Sequence, residues 1–587
     1  MVAAAAGSAL GLQACVGDIG GTGESGPPPG STPTNFVCNE DLVAADPPLR
    51  RLSRAAYERT IADLMRFAVG DEQAGDLITL FSSLPRMPDD RRVGPDPHYA
   101  GFRRLDQALQ QEHVDASYRN AVALGAALTT PARLERSVGA CATDADASND
   151  DACLDAMIRR FGLRALRRPL SDDDVAFYRR PAGQAPHSPA DYADVYALLL
   201  SAPQLFYFVE HGGAPNAGAP ASDVAPLDAF ELASRLSYHF WQTLPDDRLF
   251  ELAESGALLD DASYRAEVSR MFDDPRTREA VGVFFREWLE NSTLAPLDSR
   301  VGTPVFDAFR GDFEPGPELR ERMLAEVVDA ALYFTFDSGG SYEDLLTSNH
   351  SFARTDDLAS LYGTPVWSGQ GAPPLMSEPT RAGLLTRAAY LATGSANTRP
   401  IMKGVFLRKA LLCDELEPPP PNAAAVPPPL SESASTRQVV EDLTHHGNCA
   451  GCHQGLINPL GFVTEGFDAL GRVRAEQVLY DETGAQVGAV AVDTRAVPQV
   501  GDESTEVADA RGLLDLIVAS PKPHACFARQ YVRFSFGRSE DLNADGCALA
   551  AVKTTLDEGG SIAESLRAIA LTDAFRRRAF TTEGAGQ

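Results

Sequence analysis

Between residues 53 and 64, Ser53 is followed by Tyr57, Ile61 and Leu64, apolar positions three and four residues apart. That period puts them on one helical face, with Ser53 where an N-cap is wanted. "FGLRALRRPLSDDDVAFYRR" predicts a basic helix stopped by Pro169, then Ser171-x-x-Asp174 as the capping signal of the next helix. In "LDAFELASRLSYHFWQTLPDDRLFELA", Leu232, Leu236 and Phe240 keep the helical register and Pro245 punctuates it. Near the end, Ser561-x-x-Glu564 caps a helix whose Ile562, Leu566 and Ile569 face one way. Strict alternation is scarce, and "GAQVGAVAVDT" is the best hairpin strand. The chain is therefore expected to be mainly α, with no fixed-period repeat.

A length of 587 residues suggests roughly three or four domains. The hydrophobic fraction of 44% allows large buried cores, and no stretch reaches the roughly 18 apolar residues of a membrane-spanning helix. A formal charge of -30 argues against nucleic acid, which needs clustered Lys and Arg. The prolines of 418–421 and 427–429 make a stiff connector over 417–430. There is no G-x-S-x-G elbow, P-loop or H-E-x-x-H, so hydrolase and nucleotide-dependent activities have no support.

The connector leads to "NCAGCHQGLINPLGF", in which Cys449 and Cys452 are followed at once by His453. Nine Cys and ten His in 587 residues make a chance C-x-x-C-H rare. A structural zinc site wants four ligands, and no second pair at zinc spacing exists; His445 and His446 are adjacent, so their side chains are expected to point apart. A thioredoxin-type dithiol wants a βαβ setting that the flanks lack. Covalent haem c needs only the pentapeptide: two thioether links, and iron held by the imidazole of the same helical region. Haem c at Cys449, Cys452 and His453 is the expectation. No Met follows His453, so a sixth iron ligand would come from upstream Met402 or Met376, or from His524. An open sixth position would give peroxide or oxygen reactivity.

The N-terminal "MVAAAAGSALGLQAC" looks like a bacterial lipoprotein signal, with Leu12-Gln13-Ala14-Cys15 as lipobox and Cys15 as the lipidated residue. No Lys or Arg precedes the apolar run, unlike the usual signal. Export would place the six remaining cysteines in an oxidising compartment, where three disulfides are expected. Cys141 with Cys153 and Cys526 with Cys547 close short loops and are preferred, which leaves Cys38 with Cys413 by elimination.

The segment "CAGCHQGLINPLGFVTEGFDALGRVR" resembles the haem-bearing domain of the planctomycete-type surface cytochromes. So do, in order, "LRRLSRAAYERTIADLM", "RALRRPLSDDDVAFYRR" with "LLLSAPQLFYFVE", "ASRLSYHFWQTLPDDRL", "RAGLLTRAAYLATGSANTRPIMKGVFLRKALLCDELEPPPP" and "CFARQYVRFSFGR…C". Together they cover nearly everything from Leu49 to Arg578 and follow the family's modules of unknown function, DUF1587, DUF1595, DUF1592, DUF1588 and DUF1585. The resemblance implies haem c and bacterial export, and it does not name a substrate. One departure is Asn458, where relatives often carry Asp before the Pro of "NPLG".

The expected organisation is a lipoprotein signal (1–15), a flexible tether (16–46), helical units over 47–150, 151–215 and 222–360, a haem c-binding cytochrome-like domain over 376–480, and a helical module over 503–580. The expected function is that of an exported monohaem cytochrome transferring electrons at the cell envelope. It would be an outer-membrane, cell-surface or periplasmic lipoprotein with an unidentified redox partner protein and no membrane contact beyond its lipid. The alternatives are a haem peroxidase or oxidase, and a surface scaffold with structural haem.

Secondary features have plainer explanations. Asp541-x-Asn543-x-Asp545-Gly546 and Asp144-x-Asp146-x-Ser148 open like calcium loops but lack the Glu at position twelve. Arg399, Lys403, Arg472 and Arg474 are candidates for pairing haem propionates. Trp241, Trp288 and Trp367 are expected to be packing aromatics rather than electron relays.

Overall fold

The computed structural model describes residues 32–45, 50–94, 103–210, 224–381, 383–416 and 430–579. The lipobox with Cys15, the first half of the tether and nearly all of the Pro-rich connector lie outside the described residues. About 55% of the chain is helical, and no described strand exceeds six residues. The protein is thus mainly α and multi-domain, as the apolar spacing implied.

The capping signals act as read. Ser53 Oγ accepts from Ala56 N–H at 3.1 Å and starts the Arg54–Val69 helix. Ser171 and Ser561 each form a capping box, with Asp174 and Glu564 respectively. The expected strand is Gln486–Ala491, paired antiparallel with Glu476–Tyr480.

The helices gather into two hydrophobic cores. Tyr57, Ile61 and Leu64 belong to the first, with Leu124, Phe161 and Tyr196. Leu232, Leu236 and Phe240 belong to the second, which continues through Phe284 and Leu460 to Phe575. Each core is tied shut by a short antiparallel pair joining its two ends: Arg50–Arg51 with Tyr207–Phe208, and Val224–Pro226 with Arg577–Ala579. The two ties meet at Glu210, which is buried and accepts from Arg235 Nε at 2.8 Å and from Arg50 Nη2 at 3.4 Å. Burial alone would raise the Glu210 pKa, but Arg235, Arg50 and Arg578 outweigh it and hold it at about 2.

Three disulfides form, and two differ from the short-loop expectation. Cys141–Cys153 is as expected, but Cys526 pairs with Cys413 rather than Cys547, and Cys38 pairs with Cys547 rather than Cys413. The cause is packing. Cys526 lies on the buried face of the Lys522–Phe536 helix, its Sγ 3.3 Å from the Ala410 carbonyl, which makes Cys413 its neighbour. Cys547 opens the following helix beside Gly546, where a Cβ would overlap the Val37 carbonyl. That missing side chain lets the 36–38 segment, and so Cys38, lie alongside. Loop-closure entropy depends too weakly on length to override such placement.

Candidate functional site

The C-x-x-C-H motif sits on one nearly continuous helical stretch. The Gly447–Cys452 helix passes into a π turn over His453–Ile457 and then into the Asn458–Phe462 helix. Two glycines seat this stretch on the Pro400–Phe406 helix: a Cβ at Gly404 would overlap the Ile457 carbonyl, and one at Gly461 the Pro400 carbonyl. Arg408 locks the π turn from below. Fully buried, it donates to the carbonyls of Leu456 and Gln499 at 2.8 Å each and pairs with Asp414 at 2.8 Å. Lys522 neutralises the second oxygen of Asp414.

The π turn has a chemical consequence. Its i→i+5 bonding, with Asn458 N–H donating to the His453 carbonyl, stacks residues five apart on one face. His453 Nδ1 therefore lies 3.0 Å from Asn458 Oδ1. Thr444 Oγ1 donates to the Val440 carbonyl at 2.7 Å and accepts from Asn458 Nδ2 at 2.9 Å. With Asn458 Nδ2 donating to Thr444, Oδ1 faces the ring as an acceptor, and the tautomer that pairs with it is the one protonated on Nδ1. Nε2 keeps its lone pair, the form a histidine takes as a metal ligand when its other nitrogen donates to a neighbour. Asn458 is thus an orienting group that the sequence did not reveal.

Cys449 is exposed and Cys452 half-buried; both are thiols, and they are not joined in a disulfide. Residues three apart share a helix face, so both sulfurs and the half-buried His453 border the same surface. Beside them lies a small apolar cluster of Val405, Leu456 and Ile457, rimmed by Ile401, Leu416 and Cys452. Two thiols in reach, an imidazole with Nε2 available and an apolar flank fit covalent haem c. His445 and His446 do not point apart as expected: their ring centroids are 3.4 Å apart. No group of three or more His, Cys, Asp or Glu suited to a metal is found among the described residues.

The other candidates scatter. Ile401 and Val405 face the cluster containing Cys452, whereas Met402 lines a cavity with Arg399 and Lys403. Met376 is buried in the second core. His524 has both nitrogens on carboxylates, Nδ1 with Asp557 at 2.9 Å and Nε2 with Glu343 at 2.5 Å. Arg472 is held by Asp468 and the carbonyls of Phe309 and Arg310, and Arg474 by Glu465. Each tryptophan N–H donates to a carbonyl: Trp241 to Met271, Trp288 to Ala410, Trp367 to Gln370. All three indoles are buried, as packing aromatics should be.

The carboxylates of both acidic loops already accept hydrogen bonds. Asp545 is bidentate to Arg538, and Asp541 Oδ1 accepts from the backbone of Asn543 and Ala544. Asp144 accepts from Asp146 N–H and from the Asn149 amide.

Two family models match this chain. Residues 227–364 match PSD4, a protein of unknown function (DUF1592), and residues 381–477 match PSCyt3, a protein of unknown function (DUF1588). Both are domain families of planctomycete cytochrome type, and they occur here in the expected order. The second match contains the C-x-x-C-H motif, its orienting Asn458 and the Pro400–Phe406 helix. No curated protein and no solved structure matches the chain.

Proposed function

We propose that the protein is a monohaem c-type cytochrome that carries electrons at the bacterial cell envelope. Cys449 and Cys452 hold the haem through thioether links, and His453 Nε2 ligates its iron. The observation that carries this reading is the His453–Asn458–Thr444–Val440 relay, which engages Nδ1 and leaves Nε2 outside it, on the residue next to Cys452. Haem c, when bound, supplies a one-electron iron couple. The chain contributes the rest. Asn458 accepts the Nδ1 proton and so fixes the imidazole plane and raises its basicity toward a metal. Val405, Leu456 and Ile457 keep water from one side, and the Arg408 clamp holds the π turn in register.

Export with lipidation at Cys15 is part of the same proposal, supported by three disulfides, which persist in oxidising compartments. A second reading, a haem-dependent oxidoreductase with an open sixth position, is favoured by the placement of Met402 in a separate cavity and by the two carboxylates on His524. The ferric spectrum of the matured protein separates the two. A low-spin spectrum indifferent to peroxide supports electron transfer, whereas a high-spin spectrum that changes on adding peroxide supports catalysis.

A further inference from the structure

The face of the Pro400–Phe406 helix turned away from the motif borders a cavity that joins the two matched regions. Asn291 and Thr293 come from the first region, and Tyr390, Arg399, Lys403 and Thr464 from the second. Counting the open solvent at its mouth, the cavity is ≈ 490 Å³, with room for about two water molecules in contact with its walls. Leu385, Met402 and Phe406 give it an apolar wall.

Two cations face this space without a carboxylate partner among the described residues. Arg399 makes no ion pair, and its Nε is buried with no hydrogen-bond partner. Lys403 is 8% exposed, and its Nζ donates only to Thr464 Oγ1, at 3.2 Å. Glu465 and Asp468 lie near enough to act on the Lys403 charge, but neither is in contact with it. Glu465 Oε2 takes Thr398 Oγ1 at 2.8 Å and Arg474 at 2.9 Å, leaving Oε1 buried and unpartnered, and Asp468 holds Arg472 at 2.7 Å. Arg300 adds a further positive charge near Arg399. Buried cations are costly unless an anion compensates them. In a chain of net charge -30, two cations at one cavity with no carboxylate in contact with either suit an anion.

We infer that this cavity binds a small aliphatic carboxylate, its two oxygens on Arg399 and Lys403 and its tail against Leu385, Met402 and Phe406. The apolar wall disfavours inorganic phosphate, which needs donors on every side. This site goes beyond the haem reading and does not rest on it. Burial and Arg474 lower the Lys403 pKa to about 8 against the opposing pull of Glu465. Carboxylate affinity therefore falls as pH rises above about 8, where Lys403 loses its proton.

The test is isothermal titration of the full chain at pH 7 with butyrate, acetate and inorganic phosphate. Butyrate is expected to bind saturably at one site, more tightly than acetate, and with no change in any visible absorption that would report binding at iron. Arg399→Gln should weaken butyrate at least about tenfold, the loss of a charge-assisted bond. It should leave the thermal unfolding midpoint near wild type, because Arg399 is only half-buried. Lys403→Met should act in the same direction. Absence of saturable butyrate binding, phosphate binding in its place, or wild-type affinity in Arg399→Gln would overturn the inference.

Discussion

Replacing Asn458 with Leu removes both ends of the relay that orients His453 while keeping the side-chain volume nearly unchanged. Asn458 is 2% exposed, so no water replaces its amide. Thr444 Oγ1, also buried, loses the donor it accepts from but keeps its own bond to Val440. An orphaned buried acceptor costs about 1–3 kcal/mol. The half-buried His453 Nδ1–H can recruit water, so its loss lies nearer the net value of one hydrogen bond, about 0.5–1.5 kcal/mol. Leu adds some apolar burial that offsets part of this, for a net destabilisation of about 2–3 kcal/mol. Urea unfolding measures it as a lower midpoint at unchanged slope. Nitrogen-15 spectra of histidine-labelled protein give the second readout: wild-type His453 carries its proton on Nδ1, and the variant shows a mixture of tautomers. A stability change below about 0.5 kcal/mol together with an unchanged tautomer would refute the relay.

Three further outcomes are expected. Gly404→Ala or Gly461→Ala should each cost about 1–3 kcal/mol or more, because each new Cβ overlaps a carbonyl of the facing segment; wild-type melting in either variant would contradict the close seating of the motif. Burial, Arg50 and Arg235 hold the His239 pKa down at about 3, below its unfolded value near 6.5, so the unfolded chain binds the extra proton between those values. The contribution is full above about pH 6.5 and is lost as pH falls toward 3; His239→Gln, which keeps an acceptor for Tyr531, should flatten the unfolding midpoint over that window, and equal slopes would sink the assignment. Peptide mapping of the unreduced protein should yield the pairs Cys38–Cys547, Cys141–Cys153 and Cys413–Cys526, and a Cys526–Cys547 peptide would contradict the packing described.

What the sequence disclosed was local. Ser53, Ser171 and Ser561 cap helices because capping is decided within four residues, and the apolar rows of 57–64 and 232–240 point inward as their spacing requires. The motif of Cys449, Cys452 and His453 is legible as a pattern because its three residues are neighbours in sequence. The orienting role of Asn458 was not, because residues five apart face each other only across a π turn, which no propensity signals. Cys38 meets Cys547 across 509 residues of chain, a proximity set by the absent side chain of Gly546 and by no pattern near either cysteine. The cavity was hidden for the same reason: Asn291 and Lys403 become neighbours only after the two matched regions pack.

Covalent attachment is the claim on which the functional account stands. The direct measurement is acid-acetone extraction of the full chain, produced in a host that exports it and attaches haem c, followed by a pyridine haemochrome of the pellet and mass mapping of the peptide bearing Cys449 and Cys452. Colour that stays with the protein, a haemochrome of c type and one haem on that peptide are the expected result. Haem released into the acetone, or an unmodified peptide with both thiols free, would contradict it.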